Sequence, residues 1–136
     1  MITYSFDRDR VGRWVAERTG GRVGPLCTAI GQERDGELIA GVMYDDFNGA
    51  SISMHLRCDP PAHPSRKFWW MIFDYPFRQL GVKVIRSAVK ESNTRSIHII
   101  ERLGGVRTAI LPDHYKDGDG IIYSMYPSDC VCLKWR

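Results

Sequence analysis

The segment from Gln79 to Gly105 constrains the fold of this chain more than any other stretch of the sequence. Val82 to Val89 is rich in β-branched residues, which predicts a strand that is buried on both faces at its centre. A short polar turn follows, and Asn93 then stands where a helix would begin, because its side chain can accept free backbone N–H groups. Helical spacing continues to Leu103, and Gly104 is suited to a left-handed helix end. The segment predicts a strand–turn–helix unit with a possible ligand site at its joint.

The chain before this unit predicts a strand, a helix and three antiparallel strands. Residues 1–6 alternate loosely, as in an edge strand, and a helical spacing follows until Gly20-Gly21. The dipeptide Asp35-Gly36 indicates a tight hairpin, because both positions accept the positive φ angles that such a turn needs. We place the three strands at 26–32, 38–44 and 50–57.

The strand from Ala50 to Arg57 has the clearest alternation in the sequence. Successive side chains of a strand point to opposite faces, so its polar residues form one row and its apolar residues another. A polar row either meets solvent or lines a cleft, and the pattern leaves both open. The polar row is Ser51, Ser53, His55 and Arg57, and the apolar row is Ile52, Met54 and Leu56.

A proline-rich loop, from Cys58 to Pro64, separates this strand from a second helix. Its three prolines exclude a regular helix and favour an extended loop. Ser65 can cap the helix that follows, and Pro76 should end or kink it. Arg66-Lys67 lies in the first turn, where cations oppose the helix dipole. A bound anion would explain the pair, and two solvated cations would look the same.

The predicted order of elements is β-α-βββ-α-β-α-ββ. A helix between two strands forms a right-handed crossover, so strands 50–57 and 82–89 should run parallel. Strands 106–111 and 121–126 should follow, joined by a polar loop from Pro112 to Gly120. The length of 136 residues suits one domain, which we expect to span 1–136.

The composition excludes some classes of protein. The net charge of +3 is mild and dispersed, which gives no support to nucleic-acid binding, and no apolar run approaches the roughly 20 residues of a membrane span. We expect a cytoplasmic protein without a membrane partner. The cysteines show no paired C-x-x-C spacing, so we expect reduced thiols and no metal, with a zinc or disulfide role as the alternative. They are Cys27, Cys58, Cys130 and Cys132.

Several motifs, in this order of elements, resemble the GNAT superfamily of acyl-CoA-dependent N-acyltransferases, and among them the short phage- and prophage-type members. The likeness covers nearly the whole chain. It implies an α/β (α+β) fold: a mixed, mostly antiparallel central sheet with a parallel, splayed strand pair and flanking helices. The motifs are the segment Phe73 to Gly81, Asn93-x-x-Ser96, Glu101-Arg102-Leu103-Gly104 and the strand Ile121-Ile122-Tyr123.

The resemblance implies transfer of an acetyl group from acetyl-CoA to a primary amine, by direct attack in a ternary complex. The cofactor would lie in the V-shaped gap between the splayed strands, with its pyrophosphate at the loop and helix start from Arg57 to Lys67. The resemblance assigns cofactor contacts to Met54, His55, Leu56, Arg57, Ser65, Arg66, Lys67, Asn93, Ser96 and Ile100.

The chain departs from the family pattern at three points. The phosphate loop usually contains glycines, whereas this one contains prolines, which remove amide donors and flexibility. Ile100 stands where many members have a tyrosine that protonates the leaving thiolate. The usual glutamate base is absent from the strand, so we expect His55 to accept the amine proton, with His114 and Tyr115 as the next candidates.

A second hypothesis comes from a different class. The fold could be a catalytically inactive module that docks to a phage or host protein, and the proline loop and Ile100 favour this alternative. The acceptor amine is not identified by the sequence. Trp135 and a C-terminal tail that looks exposed suggest a partner surface, and a homodimer is one candidate assembly.

Overall fold

The computed structural model describes residues 1–61 and 63–135. Within these residues, seven strands form one mixed sheet in the order β1-β2-β3-β4-β5-β7-β6. The predicted order of elements and the fold class are confirmed. The strands are β1 (Ile2–Ser5), β2 (Thr28–Arg34), β3 (Glu37–Asp45), β4 (Ser51–Cys58), β5 (Val84–Lys90), β6 (Val106–Tyr115) and β7 (Gly118–Met125), and the helices are α1 (Arg8–Thr19), α2 (Arg66–Asp74) and α3 (Thr94–Leu103).

Strands β4 and β5 form the parallel pair of the sheet, as predicted from the crossover. Their pairing is short: Ser51–Ser53 of β4 lies beside Val84–Arg86 of β5. Beyond these positions β4 stays paired with β3, and β5 stays paired with β7. The two halves of the sheet therefore separate from each other, and a gap opens between them.

Helix α1 packs on one face of the sheet. The Asp7 carboxylate accepts the first free N–H groups of the helix, and Gly20 ends it with a φ of 78°. Val11 and Val15 are fully buried against β2 and β3. This contact requires a glycine in β3, because a Cβ atom at Gly41 would lie 3.0 Å from Val15. The C-terminal end of α1 lies at the edge of the gap.

Helix α2 packs on the other face and supplies much of the core. Ser65 caps it by accepting the Phe68 N–H, as predicted. Phe68 and Ile72 are fully buried, and the Tyr44 hydroxyl donates to the Ile72 carbonyl. The α-helix ends at Asp74 and passes into a wider π-type turn that contains Pro76, because proline cannot donate to the helical ladder. The predicted break is therefore confirmed.

Helix α3 is amphipathic but lies on the surface of the sheet. Asn93 caps it, and Gly104 ends it with a φ of 115°. Ile97 and Ile100 pack against a cluster that includes Tyr123 of β7. Because α3 contains no fully buried residue, one side of the helix stays open toward the gap.

The boundaries of one predicted loop were wrong. The expected loop from Pro112 to Gly120 is mostly strand, since β6 continues to Tyr115 and β7 begins at Gly118. An irregularity in the β6–β7 register accommodates Pro112, and Asp113 turns there with a φ of 55° while its N–H donates to Asp119. A bulged edge strand tolerates a proline that a central strand would not.

The second error concerns the centre of β5, which is not buried on both faces. Arg86 and Ala88 are exposed. They lie on the face opposite Ile85 and Val89, which belong to the core. Helix α1 packs over β2, β3 and β4 and does not cover Arg86 and Ala88 of β5.

The C-terminal tail is not the exposed segment that we expected. Cys130, Cys132 and Leu133 are buried in the core, in short helical turns that pack against α2. The four cysteines are free thiols. Burial raises the pKa of the Cys132 thiol to about 12. The structure therefore uses the tail to complete the core.

Gly104 should be essential for this packing. A Cβ atom at Gly104 would lie 2.0 Å from the Asp129 carbonyl oxygen, in addition to the strain of a positive φ. We expect Gly104→Ala to lower the free energy of unfolding by about 3 kcal/mol or more, measured by urea denaturation. Gly81→Ala is the matched control: its φ is 73° but nothing lies within 4 Å, so it should lose only about 1 kcal/mol. Equal losses in both variants would contradict the proposed clash.

Candidate functional site

The gap between β4 and β5 is a cleft of about 690 Å³. Its walls come from β4, β5, α3 and β7, and the end of α1 reaches its rim. Most of the residues that the resemblance assigned to the cofactor line it. These are Met54, His55, Leu56, Arg57, Asn93, Ser96 and Ile100.

Ser87 marks the point at which the strands part. It is the first residue of β5 beyond the paired segment, and its hydroxyl donates to the Met54 carbonyl oxygen over 2.9 Å. This bond replaces the ladder contact that the diverging strands lose. Since backbone polar groups alternate sides along a regular strand, Leu56 also directs its N–H and C=O into the gap. The edge of β4 therefore offers backbone donors and acceptors to a bound molecule.

The His55 side chain lies on the face of β4 that α1 covers, whereas the side chains of Met54 and Leu56 lie on the other face. The His55 Nε2 atom lies 3.2 Å and 3.1 Å from the two carboxylate oxygens of Asp45. Both side chains are about one-third exposed, and of the two residues His55 lines the cleft. The polar row of β4 thus lines a cleft at His55, which was one of the two alternatives left open by the sequence.

Cationic side chains gather at the mouth of the cleft. The Arg18 Nε atom of α1 lies 3.1 Å from both oxygens of Asp59, and the Arg57 Nε atom lies 3.5 Å from one of them. Arg95, in the first turn of α3, also lines the cleft. Three cations and one carboxylate leave a positive mouth. Sequence reasoning missed Arg18 and Arg95, because nothing in the local pattern places the end of α1 beside α3.

Cys58 lies among these arginines. Burial raises the pKa of its thiol to about 11, while the positive charges of Arg95 and Arg57 act in the opposite direction. The thiol is therefore protonated at neutral pH despite the nearby cations.

Asn93 lies at the start of α3, where the cleft and the helix N-terminus meet. Its side-chain oxygen accepts the Ser96 N–H over 3.2 Å, which leaves the amide NH₂ as its available donor. The unpaired N–H groups of the first helical turn favour negative charge at this end of the cleft.

Ser65, Arg66 and Lys67 do not line the cleft and are not brought together with the other predicted site residues. The Ser65 hydroxyl is engaged by the Phe68 N–H and by Tyr4. The Arg66 Nε donates to the Trp135 carbonyl oxygen over 3.0 Å, and the Lys67 ammonium lies 5.3 Å from the centre of the Tyr4 ring. The polar side chains at the start of α2 therefore contact other groups of the protein instead of the cleft.

His114 and Tyr115 line the far side of the cleft, at the end of β6. Their rings meet edge to face with centres 4.8 Å apart. Gly120 of β7 leaves room for this arrangement, because a Cβ atom there would lie 2.9 Å from the His114 ring. Burial raises the pKa of the Tyr115 hydroxyl. The structure therefore places both residues at the cleft, across from β4.

Tyr123 lines the cleft, and the sequence analysis named it only as part of a strand motif and not as a site residue. Its hydroxyl donates to Glu101 of α3 over 2.6 Å. Burial, followed by this hydrogen bond, raises the pKa of Tyr123. The bond fastens α3 to β7 along one wall of the cleft. The strand alternation of 121–125 could have shown that Tyr123 faces the same side as Ile121.

In residues 1–61 and 63–135, no helix is long and apolar enough to cross a membrane. The same residues contain no group of three or more His, Cys, Asp or Glu side chains arranged to hold a metal ion.

Solved structures of acetyltransferases are similar to this chain. A mutant of spermidine N-acetyltransferase SpeG from Vibrio cholerae matches with a TM-score of 0.74 and 16% identity, over 93% of this chain and 94% of that one. Ribosomal-protein-S5-alanine acetyltransferase from Vibrio fischeri matches with a TM-score of 0.66 and 16% identity, over 90% of this chain and 71% of that one. No protein-family model and no curated protein sequence matches.

A third structure, provisionally assigned as an acetyltransferase, matches with a TM-score of 0.67 and 18% identity. The match covers 78% of this chain, which spans 60% of the length of that protein. At these identities the likeness concerns the fold. The chain has the fold of the GNAT acetyltransferases, including the splayed strand pair that the resemblance implied.

Cys58 should be the most accessible thiol and yet an unreactive one, because Cys27, Cys130 and Cys132 are buried. With a pKa of about 11, its thiolate fraction at pH 7.5 is very small. We expect alkylation by iodoacetamide to be about a hundredfold slower than for free cysteine, and its rate to keep rising beyond pH 10. Mass spectrometry of the native protein measures this rate, with Cys58→Ser as the control. A rate that levels off near pH 8.5 would contradict the assigned environment.

Proposed function

We propose that this protein transfers the acetyl group of acetyl-CoA to a primary amine, by direct attack of the amine on the thioester in a ternary complex. The observation that carries the proposal is the cleft between β4 and β5, which has free backbone groups along one edge and cations at its mouth. The fold shared with acetyltransferases supports the same class of reaction. We take residues 1–136 as one domain, and the cytoplasmic location and phage-type origin stay predictions.

In this proposal the pantetheine arm lies along the edge of β4. The backbone of Met54 and Leu56 pairs with its amides, and the free Leu56 N–H is placed to donate to the thioester oxygen. Ser87 closes the end of the gap and limits how far the arm can enter. Asn93 donates its amide N–H groups from the start of α3, with Ser96 and Ile100 along the same wall.

The phosphates of acetyl-CoA belong at the positive mouth. Arg18, Arg57 and Arg95 replace the amide donors that a glycine-rich loop would supply. Arg66 and Lys67 contact Trp135 and Tyr4 and lie outside the cleft, so they make no contact with the phosphates in this proposal.

His55 accepts the proton of the attacking amine in this scheme, since it is a half-buried histidine among the residues that line the cleft. His114 and Tyr115 lie on the opposite wall, where they can orient the acceptor amine. Ile100 has no proton to donate, so the leaving thiolate depends on the hydroxyls of the cleft or on water.

A second candidate function is a catalytically inactive binding module. The proline-filled loop and Ile100 favour it, as they remove two groups that the acetyltransferases of this fold ordinarily use. Titration of the protein with acetyl-CoA by calorimetry separates the two candidates. Absence of both heat and a thermal shift at millimolar acetyl-CoA would rule out the enzyme.

The assignment of the phosphate site predicts different effects for two cationic residues. Arg95→Ala should weaken acetyl-CoA binding about tenfold, because it removes a cation from the cleft mouth, and the loss should shrink at high salt. Lys67→Ala is the matched control and should leave the affinity unchanged within about twofold. Calorimetry at two salt concentrations measures both effects. A loss in Lys67→Ala with none in Arg95→Ala would place the phosphates at the start of α2 instead.

Removal of the proposed base should affect turnover rather than binding. We expect His55→Ala to lower kcat about a hundredfold at neutral pH while the affinity for acetyl-CoA changes less than about twofold. Release of free CoA with a panel of amines measures the rate. His98→Ala, an exposed change on α3 outside the cleft, is the control. An unchanged rate in His55→Ala would end the assignment.

A further inference from the structure

We propose that Asp45 is a positioning residue: it holds the His55 ring in the Nε2–H tautomer, so that Nδ1 is the atom that accepts the amine proton. This inference rests on the proposed acetyl transfer and extends it from a residue to an atom. No observation at the sequence level pointed to Asp45.

The geometry of the pair determines the tautomer. The Nε2 atom lies within 3.2 Å of both carboxylate oxygens of Asp45, and an ionised carboxylate can only accept hydrogen bonds. Nε2 must therefore carry the proton, whether the ring is neutral or charged. In the neutral ring, Nδ1 then has the lone pair. No hydrogen bond to Nδ1 is formed by any group in the part of the chain that the structure describes.

The sheet holds Asp45 in place. In the β3–β4 register Asp45 lies beside Ser53 and Met43 lies beside His55, so Asp45 and His55 are diagonal neighbours on one face. Asp46 adopts a φ of 54° and turns the chain away directly afterwards. Among the described residues, His55 is the only hydrogen-bond partner of the Asp45 side chain. Two paired strands, rather than a loop, therefore set the distance between the two groups.

The step that follows from this arrangement is balanced. The amine nitrogen forms a bond to the acetyl carbonyl carbon, and the bond between that carbon and sulfur breaks. The amine proton passes to Nδ1 of His55, directly or through one water, and CoA leaves as the thiolate. The imidazolium that forms stays bonded through Nε2–H to Asp45, which keeps its charge throughout.

Nuclear magnetic resonance of ¹⁵N-histidine-labelled protein tests the pairing without acetyl-CoA or turnover. At pH 8 the His55 ring of the wild-type protein should be almost entirely the Nε2–H tautomer. In Asp45→Ala we expect a mixture of both tautomers, since the ring loses the acceptor that selects one of them. Asp46→Asn is the matched control, because it removes a neighbouring negative charge that makes no contact with His55, and it should leave the tautomer unchanged.

Kinetics tests the catalytic consequence. We expect Asp45→Ala to lower kcat about tenfold to a hundredfold, with the KM for acetyl-CoA unchanged within about twofold, and Asp45→Asn to recover part of the loss through its side-chain oxygen. An unchanged tautomer in Asp45→Ala overturns the proposal even if the enzyme is active. A wild-type protein that transfers no acetyl group overturns the proposed function. The tautomer measurement needs no turnover, so it tests the role of Asp45 separately from the proposed function.

Discussion

The short pairing between β4 and β5 is the constraint on which the rest of the structure depends. The two strands touch over three positions and then part, because β4 follows β3 and β5 follows β7. Buried backbone groups normally find partners, so an open strand edge inside a domain calls for a bound molecule or a substitute. Ser87 provides the substitute at one point, and the remainder of the edge faces the cleft.

Strand β4 can hold both a bound molecule and the proposed base, because its backbone groups and its side chains point in different directions. Its backbone faces the gap, whereas its polar side chains face α1 and its apolar ones face α2. A bound thioester and the base that assists its reaction could therefore be held by one rigid strand. Sites built on paired strands keep their geometry better than sites built on loops, which is why the Asp45–His55 pair carries weight in the proposed chemistry.

The mouth of the cleft shows how the chain manages without a glycine-rich loop. Asp59, from the proline-rich loop, is shared by Arg18 of α1 and Arg57 of β4. Exposed ion pairs contribute little to stability, so the value of this cluster lies in the cations that it orients toward the cleft. Side-chain donors of this kind replace backbone amides at the cost of greater flexibility. The burial of Cys58 beside them keeps a thiol in the same region unreactive.

Local sequence determined most of the elements. The caps at Ser65, Asn93 and Gly104, the break at Pro76 and the parallel crossover all follow from short-range sterics and hydrogen bonding, and all were predicted. The family resemblance also implied that the edge of β4 and the start of α3 border one cleft, and both line it. The structure places His114 and Tyr115, the two secondary candidates for the base, at the cleft, and the segment that carries them is strand rather than loop.

Tertiary structure alone decided the remainder. The pairing of Asp45 with His55 depends on the β3–β4 register, and the meeting of Arg18 with Asp59 depends on how α1 packs against β3. The same holds for Arg66, which the buried C-terminal tail draws away from the cleft, and for the length of β6, which its bulged pairing with β7 extends. Such contacts join residues that are far apart in the chain, and their energies have no signature in local spacing. The sequence by itself therefore determined the strands and helices of the site, and packing decided which charged groups face it.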